Sequence, residues 1–369
     1  MAQSMRVASV SIVSALLVAW SVATPALAVQ FDYLDPGYTQ EIYTGPLVGG
    51  PGMAWTNAGN LMNRNGSDIL VYSLTQNAVH QGTNVHASIA TYTIPGLSST
   101  GYGLAKGLDG YIYTPTNVGL QRFNPNNWAA PAQTLAGTVG GQGYGITTLP
   151  DGRLAYVAGW STNNVYLYDP VNLTNTLIYT ASGLIDDIEA SSTGAIALAG
   201  QANSDITIIS NTGAVINNFA TPHYPDGLAF GDGAASTSLF SNNNDGSITR
   251  YVLGAGYLGV PVITDIALQT KNGKAYGDLA AVGPDCAFYV SQFENGGYHG
   301  STPGVGTHWD NGVTNAEASI IRIAAVGPDG TEICGFGTAT GDVPEPGTLL
   351  LIIAGVVPFL SLSRRLRRG

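Results

Sequence analysis

The sequence predicts an all-β protein, a β-propeller of six four-stranded blades, and three observations support this fold class. The first is composition, because the 369-residue chain contains 49 glycines and 19 tyrosines but only 10% charged residues. This composition, without the apolar period of long helices, is typical of short strands joined by tight turns. The other two observations are two kinds of segment that recur along the chain in a fixed order.

The first recurring segment has a small or acidic residue, two or three apolar residues, a Gly/Asp-rich turn and a second β-rich run. Its copies lie at 51–62, which is the weakest, and at 101–114, 143–159, 185–200, 225–241 and 276–292. Their equivalent positions are Gly52, Gly103, Gly145, Asp187, Gly227 and Asp278. These positions are 40 to 51 residues apart. A series of β-sandwich domains would not repeat one turn motif at so even a spacing.

The second recurring segment supplies a third strand to each copy. Its copies are DILVYSL (68–74), VGLQRFNP (118–125), NVYLYDP (164–170), DITIISN (205–211), SITRYVL (247–253) and ASIIRIA (318–324). Three strands with a turn and a polar link, repeated in this way, are typical of propeller blades. Six copies predict six blades within residues 51–341. The count stays open by one blade, because residues 31–44 of the preceding segment, 29–50, are a candidate outer or closing strand.

The N-terminal residues 1–28 have the features of a signal peptide. Arg6 precedes an apolar run that ends near Trp20, and Ala26-Leu27-Ala28 has the small-x-small pattern of a signal-peptidase site. The mature chain is therefore expected to begin at Val29.

The C-terminal residues 342–369 predict a membrane segment. Pro344, Glu345 and Pro346 form a stiff extended turn, and residues 348–363 carry no charge. As a helix this run is about 24 Å long, which is short of the roughly 30 Å hydrocarbon core. The cluster that follows is Arg364, Arg365, Arg367 and Arg368. Arginines beside an apolar helix stay on the cytoplasmic side, which leaves the rest of the chain outside the membrane.

The Pro-Glu-Pro motif, apolar segment and arginine-rich end together resemble the PEP-CTERM sorting signal of Gram-negative bacteria that make exopolysaccharide. The resemblance covers about the last 26 residues. It implies that an exosortase-type processing enzyme is a partner and that the chain is anchored transiently in the inner membrane. It also implies final placement at the cell surface or in the extracellular biofilm matrix. The alternative is a tail that stays as a permanent anchor.

Charge and cysteine usage agree with export. Eight basic and 24 acidic residues remain between Val29 and Pro346, which gives this part a net charge of −16. Such a surface repels nucleic acid and anionic lipid. Cys286 and Cys334 are the two cysteines, and in an exported chain they are a candidate disulfide.

The segment PDGLAF (225–230) and the repeats around it resemble the six-bladed family that includes NHL repeats and the gluconolactonase and regucalcin enzymes. The resemblance extends as a pattern over most of residues 50–336. In lactonase-like members a Glu, an Asn and an Asp hold a metal ion at three positions around the channel. Asp226 matches the Asp, Asp186 stands at the Asn position, and Pro51 stands at the Glu position. The resemblance therefore implies a metal site that has lost one ligand.

Candidate site residues follow from the repeats, because the residue before each innermost strand points at one mouth of the central channel. This ring consists of Pro51, Tyr102, Tyr144, Asp186, Asp226 and Gly277. Two carboxylates near two tyrosines can hold calcium or another divalent cation, or can stack against and hydrogen-bond a sugar. The alternative is a purely structural role, in which Asp186 and Asp226 cap turns between blades.

Further polar residues give weaker signals. His223 lies three residues before Asp226 and is a candidate for the same mouth, whereas His299 and His308 lie in a Gly-rich insertion at 294–317. Asp187 and Glu189 would share one face of a strand opposite Asp186. Residues 242–246, NNNDG, fit a hairpin turn better than a calcium loop.

The leading hypothesis is a non-enzymatic, exported propeller that binds exopolysaccharide or matrix proteins. No motif places a nucleophile beside a base, so no catalytic residue is assigned. The alternative is a divalent-metal-dependent, lactonase-like hydrolase that uses Asp186 and Asp226.

Overall fold

The chain forms a closed ring of six antiparallel sheets, which we number as blades 1 to 6 in chain order. This computed structural model describes residues 31, 33–44, 52–73, 89–141, 143–159, 163–231, 237–268, 276–293 and 318–337. Each blade contains four strands, so the predicted six-bladed propeller is confirmed. The predicted signal peptide (1–28) and sorting signal (342–369) lie outside the described residues.

Blades 1 to 3 are built from consecutive strands, the first of which is innermost. Blade 1 contains β3 (Met53–Trp55), β4 (Leu61–Asn65), β5 (Asp68–Tyr72) and β6 (Ala90–Thr93). Blade 2 contains β7 (Ala105–Lys106), β8 (Ile112–Thr116), β9 (Gly119–Phe123) and β10 (Gln133–Thr134). Blade 3 contains β11 (Ile146–Thr148), β12 (Leu154–Val157), β13 (Asn164–Asp169) and β14 (Thr174–Thr180).

Blades 4 and 5 follow the same order, and blade 6 borrows its outermost strand from the N-terminal part of the chain. Blade 4 contains β15 (Ile188–Ala190), β16 (Ile196–Gly200), β17 (Asp205–Ile209) and β18 (Val215–Ala220). Blade 5 contains β19 (Pro225–Gly231), β20 (Ser238–Asn243), β21 (Ile248–Val252) and β22 (Val262–Leu268). Blade 6 contains β23 (Tyr276–Val282), β24 (Phe288–Phe293), β25 (Ala318–Val326) and β2 (Tyr38–Thr44). Short 3₁₀ turns span Gln201–Asn203 and Ala255–Tyr257.

Three short strands add to the two last blades. β1 (Tyr33–Leu34) pairs with the outer edge of β22, and β26 (Glu332–Ile333) pairs with the end of β25. β27 (Phe336–Gly337) pairs with the end of β19 in blade 5. Cys286, in the turn between β23 and β24, forms a disulfide with Cys334.

The core consists of apolar clusters between neighbouring blades rather than one central cluster. Successive residues of a strand point to opposite faces, so each strand serves two clusters. In β16, Ile196 and Leu198 pack toward blade 3, whereas Ala197 and Ala199 pack toward blade 5. Because neighbouring blades cover both faces of a blade, the second strands of the blades are buried at nearly every residue instead of at every other one. This explains why the repeats, and not period-two patterns, were the informative signal.

The two ends of the ring can be distinguished by strand direction. We call the end where the innermost strands begin the mouth face, and the other end the opposite face. Since neighbouring strands of a blade are antiparallel, the turn between its third and fourth strands lies on the opposite face. Residues 242–246 connect β20 to β21 at the mouth face as a hairpin turn, in which Gly246 has a φ of 80°. No helix in the described part of the chain is long and apolar enough to cross a membrane.

Candidate functional site

The candidate site lies at the mouth face, where residues just before or at the start of the innermost strands of blades 2 to 5 meet. Tyr102 and Tyr144 come from blades 2 and 3, and Asp186 and Asp226 come from blades 4 and 5. The innermost strands pack so closely that a Cβ atom on Gly103 would lie 1.8 Å from the carbonyl oxygen of Tyr144. Glycine is therefore required there, and the close packing draws the side chains of neighbouring blades together. Pro51, the remaining position of interest for a metal, lies outside the described residues.

Tyr102 and Tyr144 form an aromatic pair at this mouth. Their ring centroids are 4.9 Å apart and their planes are inclined by 30°. Tyr102 is half-buried, whereas Tyr144 is only 4% exposed. Burial is the main cause that raises the pKa of Tyr144, and the charges of Asp186 and Asp278 raise this pKa further. Both phenols therefore stay protonated at neutral pH, and Gly145, next to Tyr144, packs against blade 4 so closely that a Cβ atom there would lie 3.0 Å from the backbone of Asp187.

Asp186 and Asp226 form a buried carboxyl pair. Each side chain belongs to a residue that is 3% exposed, and the two carboxyl groups hydrogen-bond to each other. Burial raises the pKa of both groups, because a charge is poorly solvated in the interior. Two carboxyl groups in direct hydrogen-bond contact cannot both be ionised without strong repulsion, so the pair shares one proton.

Three further acidic residues surround this pair. Asp187 accepts a hydrogen bond from the backbone N–H of Leu228 at 2.9 Å, and this bond connects blade 4 to blade 5. Asp278 is also buried, and its charge raises the pKa of Asp226. Burial raises the pKa of the Glu189 carboxyl to about 8. The pKa values of Asp186, Asp187, Glu189 and Asp226 are therefore all raised above the usual range for carboxyl groups.

The predicted alternation along 186–189 does not hold at its first two residues, because β15 begins only at Ile188. Asp186 and Asp187 precede the strand, and both make hydrogen bonds to blade 5. One oxygen of Asp186, Oδ1, is buried without a hydrogen-bond partner among the described residues. Such an oxygen can accept a hydrogen bond from a ligand hydroxyl or amine.

The geometry does not fit the metal site that the sequence resemblance implies. The described residues contain no group of three or more His, Cys, Asp or Glu side chains arranged to hold a metal ion. In addition, Asp186 and Asp226 bond to each other through a shared proton, which a cation would have to displace. The described residues therefore do not assemble the three-ligand set that the resemblance implies, and Asp186 and Asp226 alone supply far fewer than the six to eight oxygen ligands that calcium takes.

His223 lies beside different carboxylates from those of the pair. Its Nδ1 is 2.5 Å from Oδ2 of Asp245, and its Nε2 is 3.2 Å from Oδ1 of Asp265. The hydrogen bond to Asp245 is the largest cause that raises the pKa of His223, to about 9. His223 is therefore an imidazolium at neutral pH and is not poised as a general base. His299 and His308 lie outside the described residues.

Sequence reasoning missed a buried arginine next to the mouth. Arg64 is 0% exposed and donates to the backbone oxygens of Ser98 at 2.6 Å and Thr100 at 2.9 Å, and to the hydroxyl of Thr114. Burial lowers its pKa to about 10, and the nearby Tyr102 partly offsets this effect. Arg64 thus joins blade 1 to the loop that carries Tyr102. The only signal in the sequence for this buried arginine was a positive charge within the strand segment LMNRN.

Comparison with known proteins supports the fold. No family model matches the chain, and no curated protein matches it. Among solved structures, the calcium-binding protein regucalcin from Agrobacterium tumefaciens matches with a TM-score of 0.54 at 11% identity, covering 82% of this chain and 96% of that chain. A luciferin-regenerating enzyme matches with a TM-score of 0.51 at 12% identity, covering 82% of this chain and 99% of that chain. The structure of U3-55K also matches with a TM-score of 0.51 at 12% identity, covering 79% of this chain and 99% of that chain.

At these identities the neighbours share the fold alone. The chain is a six-bladed β-propeller, and its chemistry has to be argued from its own residues. Those residues provide aromatic faces, a proton-sharing acid pair and a buried acceptor oxygen. Together they can stack against a ring and exchange hydrogen bonds with hydroxyl groups.

Proposed function

We propose that the protein is a non-enzymatic binding propeller that is exported and retained at the cell surface or in the polysaccharide matrix. The observation that carries the binding role is the juxtaposition of Tyr102 and Tyr144 with the proton-sharing pair Asp186 and Asp226. A sugar ring stacks on an aromatic face while its hydroxyl groups bond to carboxyl oxygens. A glycan is therefore the ligand class that this mixture of groups suits best.

Two observations support the exported location. Cys286 and Cys334 form a disulfide, and disulfides persist in oxidising compartments outside the cytosol. The acidic surface expected from the sequence also suits an extracellular protein, since the whole chain has a net charge of −11. Sorting by an exosortase-type enzyme rests on residues 344–346 and on the arginine cluster, so it stays a proposal from the sequence.

A lactonase-like hydrolase is the alternative, and the mouth gives it less support. Hydrolysis of this kind would need a divalent cation held by several ligands, whereas the described acidic residues form no group of three donors arranged for a metal. The regucalcin neighbour is named as calcium-binding, but at 11% identity this property does not transfer to the present chain.

The test is titration calorimetry of the full chain in detergent with exopolysaccharide fragments and, separately, with calcium. We expect glycan binding that weakens by about tenfold or more in Asp186→Asn/Asp226→Asn, because the double change removes the one negative charge of the pair and the charge-assisted hydrogen bonds that it accepts. Asp169→Asn is the matched control, since Asp169 lies in an exposed turn of blade 3 and bonds only within that turn. This variant should bind like the parent.

The calcium titration tests the alternative function. Tight calcium binding that disappears in Asp186→Asn/Asp226→Asn, together with turnover of a lactone by the parent, would overturn the binding proposal and establish the hydrolase. Equal glycan binding by the parent and the double variant would instead exclude the mouth as the glycan site.

A further inference from the structure

The opposite face carries an unusual set of exposed apolar side chains on three consecutive blades. We call this set the apolar rim, and its members are Val171, Leu173, Val215, Leu258, Val260 and Val262. Val260 is 92% exposed and Val171 is 86% exposed, so these side chains protrude into solvent instead of closing the core. Each lies in or next to the turn between the third and fourth strands of blade 3, 4 or 5.

Contacts between the blades make the apolar rim continuous. Asn217, on the outermost strand of blade 4, donates hydrogen bonds of 2.8 Å to the backbone oxygens of Tyr257 and Gly259 in blade 5. On the other side, a Cβ atom on Gly213 would lie 1.7 Å from the carbonyl oxygen of Ile178 in blade 3. The three turns therefore lie side by side along one edge of the opposite face.

The turns of the apolar rim carry one charged residue, Asp169, whose carboxylate accepts hydrogen bonds from the N–H groups of Val171 and Asn172 in the blade 3 turn. Residues 170–185, 206–222 and 251–264 lack Asp, Glu, Lys and Arg, although the chain as a whole contains 37 such residues. Singly exposed apolar residues are ordinary, but an apolar stripe across three blades, with Asp169 as its one charged neighbour in these turns, indicates a surface that contacts a membrane or another molecule. Protruding turn tips suit a soft partner into which they can insert, whereas a protein partner favours a flat, complementary surface.

The end of the described chain lies at the same face. Phe336 pairs with Gly231, the last residue of β19, and Cys334 is bonded to the turn after β23. Residues 338–347 then separate this point from the uncharged run at 348–363. Ten residues reach at most about 35 Å when fully extended, so a membrane segment at 348–363 would hold the opposite face close to a bilayer.

We propose that the apolar rim docks on a lipid bilayer and inserts Val171, Leu258 and Val260 past the lipid head groups to the first part of the acyl chains, so that the mouth faces away from the membrane. The proposal rests on the proposed anchoring only for the orientation of the chain. Insertion of apolar turn tips is driven by removal of their surface from water. The lipid is zwitterionic, because a chain with a net charge of −11 is repelled by anionic head groups.

The experiment uses the full chain reconstituted into phosphatidylcholine vesicles whose acyl chains carry bromine, which quenches tryptophan fluorescence on contact. Val260→Trp places a reporter on the apolar rim. Val118→Trp is the matched control, because Val118 is 54% exposed in the turn between β8 and β9 on the mouth face. We expect a blue shift and strong quenching at position 260, and emission at position 118 that bromine leaves unchanged.

A second variant tests whether the neighbouring apolar side chains carry the effect. Val171→Asp and Leu258→Asp, added to Val260→Trp, change only exposed positions and should abolish the quenching while the chain still floats with the vesicles. Replacing half of the lipid with phosphatidylglycerol should also reduce the quenching.

The outcomes separate this proposal from the proposed anchor, since flotation reports the anchor and quenching reports the apolar rim. A chain that floats without quenching at position 260 overturns the docking and leaves the anchor intact. A chain that neither floats nor is quenched contradicts both. A blue shift without quenching, together with a doubled mass in sedimentation, overturns the lipid partner and assigns the apolar rim to a second copy of the chain.

Discussion

At the scale of single residues, His223 shows how one side chain can connect three elements of a blade. It precedes β19, whereas Asp245 lies in the turn after β20 and Asp265 lies in β22. The pKa of His223 is raised from 6.5 to about 9, chiefly by the hydrogen bond to Asp245. A raised folded-state pKa gives stability that is fully present below the ordinary value. This stability is lost as the pH rises through about 9.

Because this stabilisation is lost at high pH, the effect of His223→Gln on stability should depend on pH. At pH 6 we expect the variant to have a free energy of unfolding about 1–2 kcal/mol lower than the parent, a value reduced for solvent screening. At pH 10 the difference should be nearly gone, because the parent imidazole is then neutral. Urea unfolding at the two pH values measures it. Arg153→Gln, which breaks an exposed ion pair with Asp151, is the control. It should lower the free energy of unfolding only slightly at both pH values. An equal loss at pH 6 and pH 10 would contradict the ionic role.

At the scale of elements, blades 2 and 6 repeat one arrangement of three side chains. An Asp lies in the first turn of the blade, a Tyr on its second strand and an Arg on its third strand. In blade 6, Asp285 accepts hydrogen bonds from the Tyr289 hydroxyl at 2.9 Å and from Nε of Arg322 at 2.8 Å. In blade 2, Asp109, Tyr113 and Arg122 take the same places. A glycine precedes each Asp by two residues, because any Cβ there would lie about 2.5 Å from the tyrosine ring. The arrangement fixes the first turn of the blade to its third strand.

Asp285→Ala should therefore destabilise the protein by about 1–3 kcal/mol, since it leaves two buried donors without their acceptor. Asp329→Ala is the matched control, because Asp329 caps its own turn through Thr331 but contacts no tyrosine or arginine in the described residues. Thermal unfolding of the two variants measures the difference. Equal shifts in melting temperature would mean that only the turn cap matters.

The elements also show what the sequence could predict. The six repeats were visible because each blade has the same strand order, and the position before each innermost strand predicted Tyr102, Tyr144, Asp186 and Asp226. β1 and β27 were not predictable, because two residues carry no period and their partners lie more than 100 residues away. The contribution of Asp187 and the partners of His223 also depend on contacts between distant strands, which a local pattern does not contain.

At the scale of the whole molecule, the first and last described segments of the chain close the ring. β2 comes from before blade 1 and completes blade 6, so the first and last parts of the propeller share one sheet. On the opposite face, the disulfide holds β26 and β27, and Phe336 from β27 packs with Phe240 of blade 5 and Phe288 of blade 6. The disulfide thus fastens the segment that seals the contact between the last two blades.

Removal of the disulfide should loosen this seal before the rest of the ring. Cys286→Ser/Cys334→Ser is expected to lower the free energy of unfolding by about 2–4 kcal/mol, because the bond closes a loop with a sequence separation of 48 residues. Hydrogen exchange should show faster exchange first at the amide of Phe336, which donates to the carbonyl oxygen of Cys286, and later in β20. Adding reductant to the double variant is the control and should change nothing. If reduction of the parent left both stability and exchange unchanged, the closure would depend on β2 and the apolar contacts alone, and the oxidising compartment would not be needed to keep the ring closed.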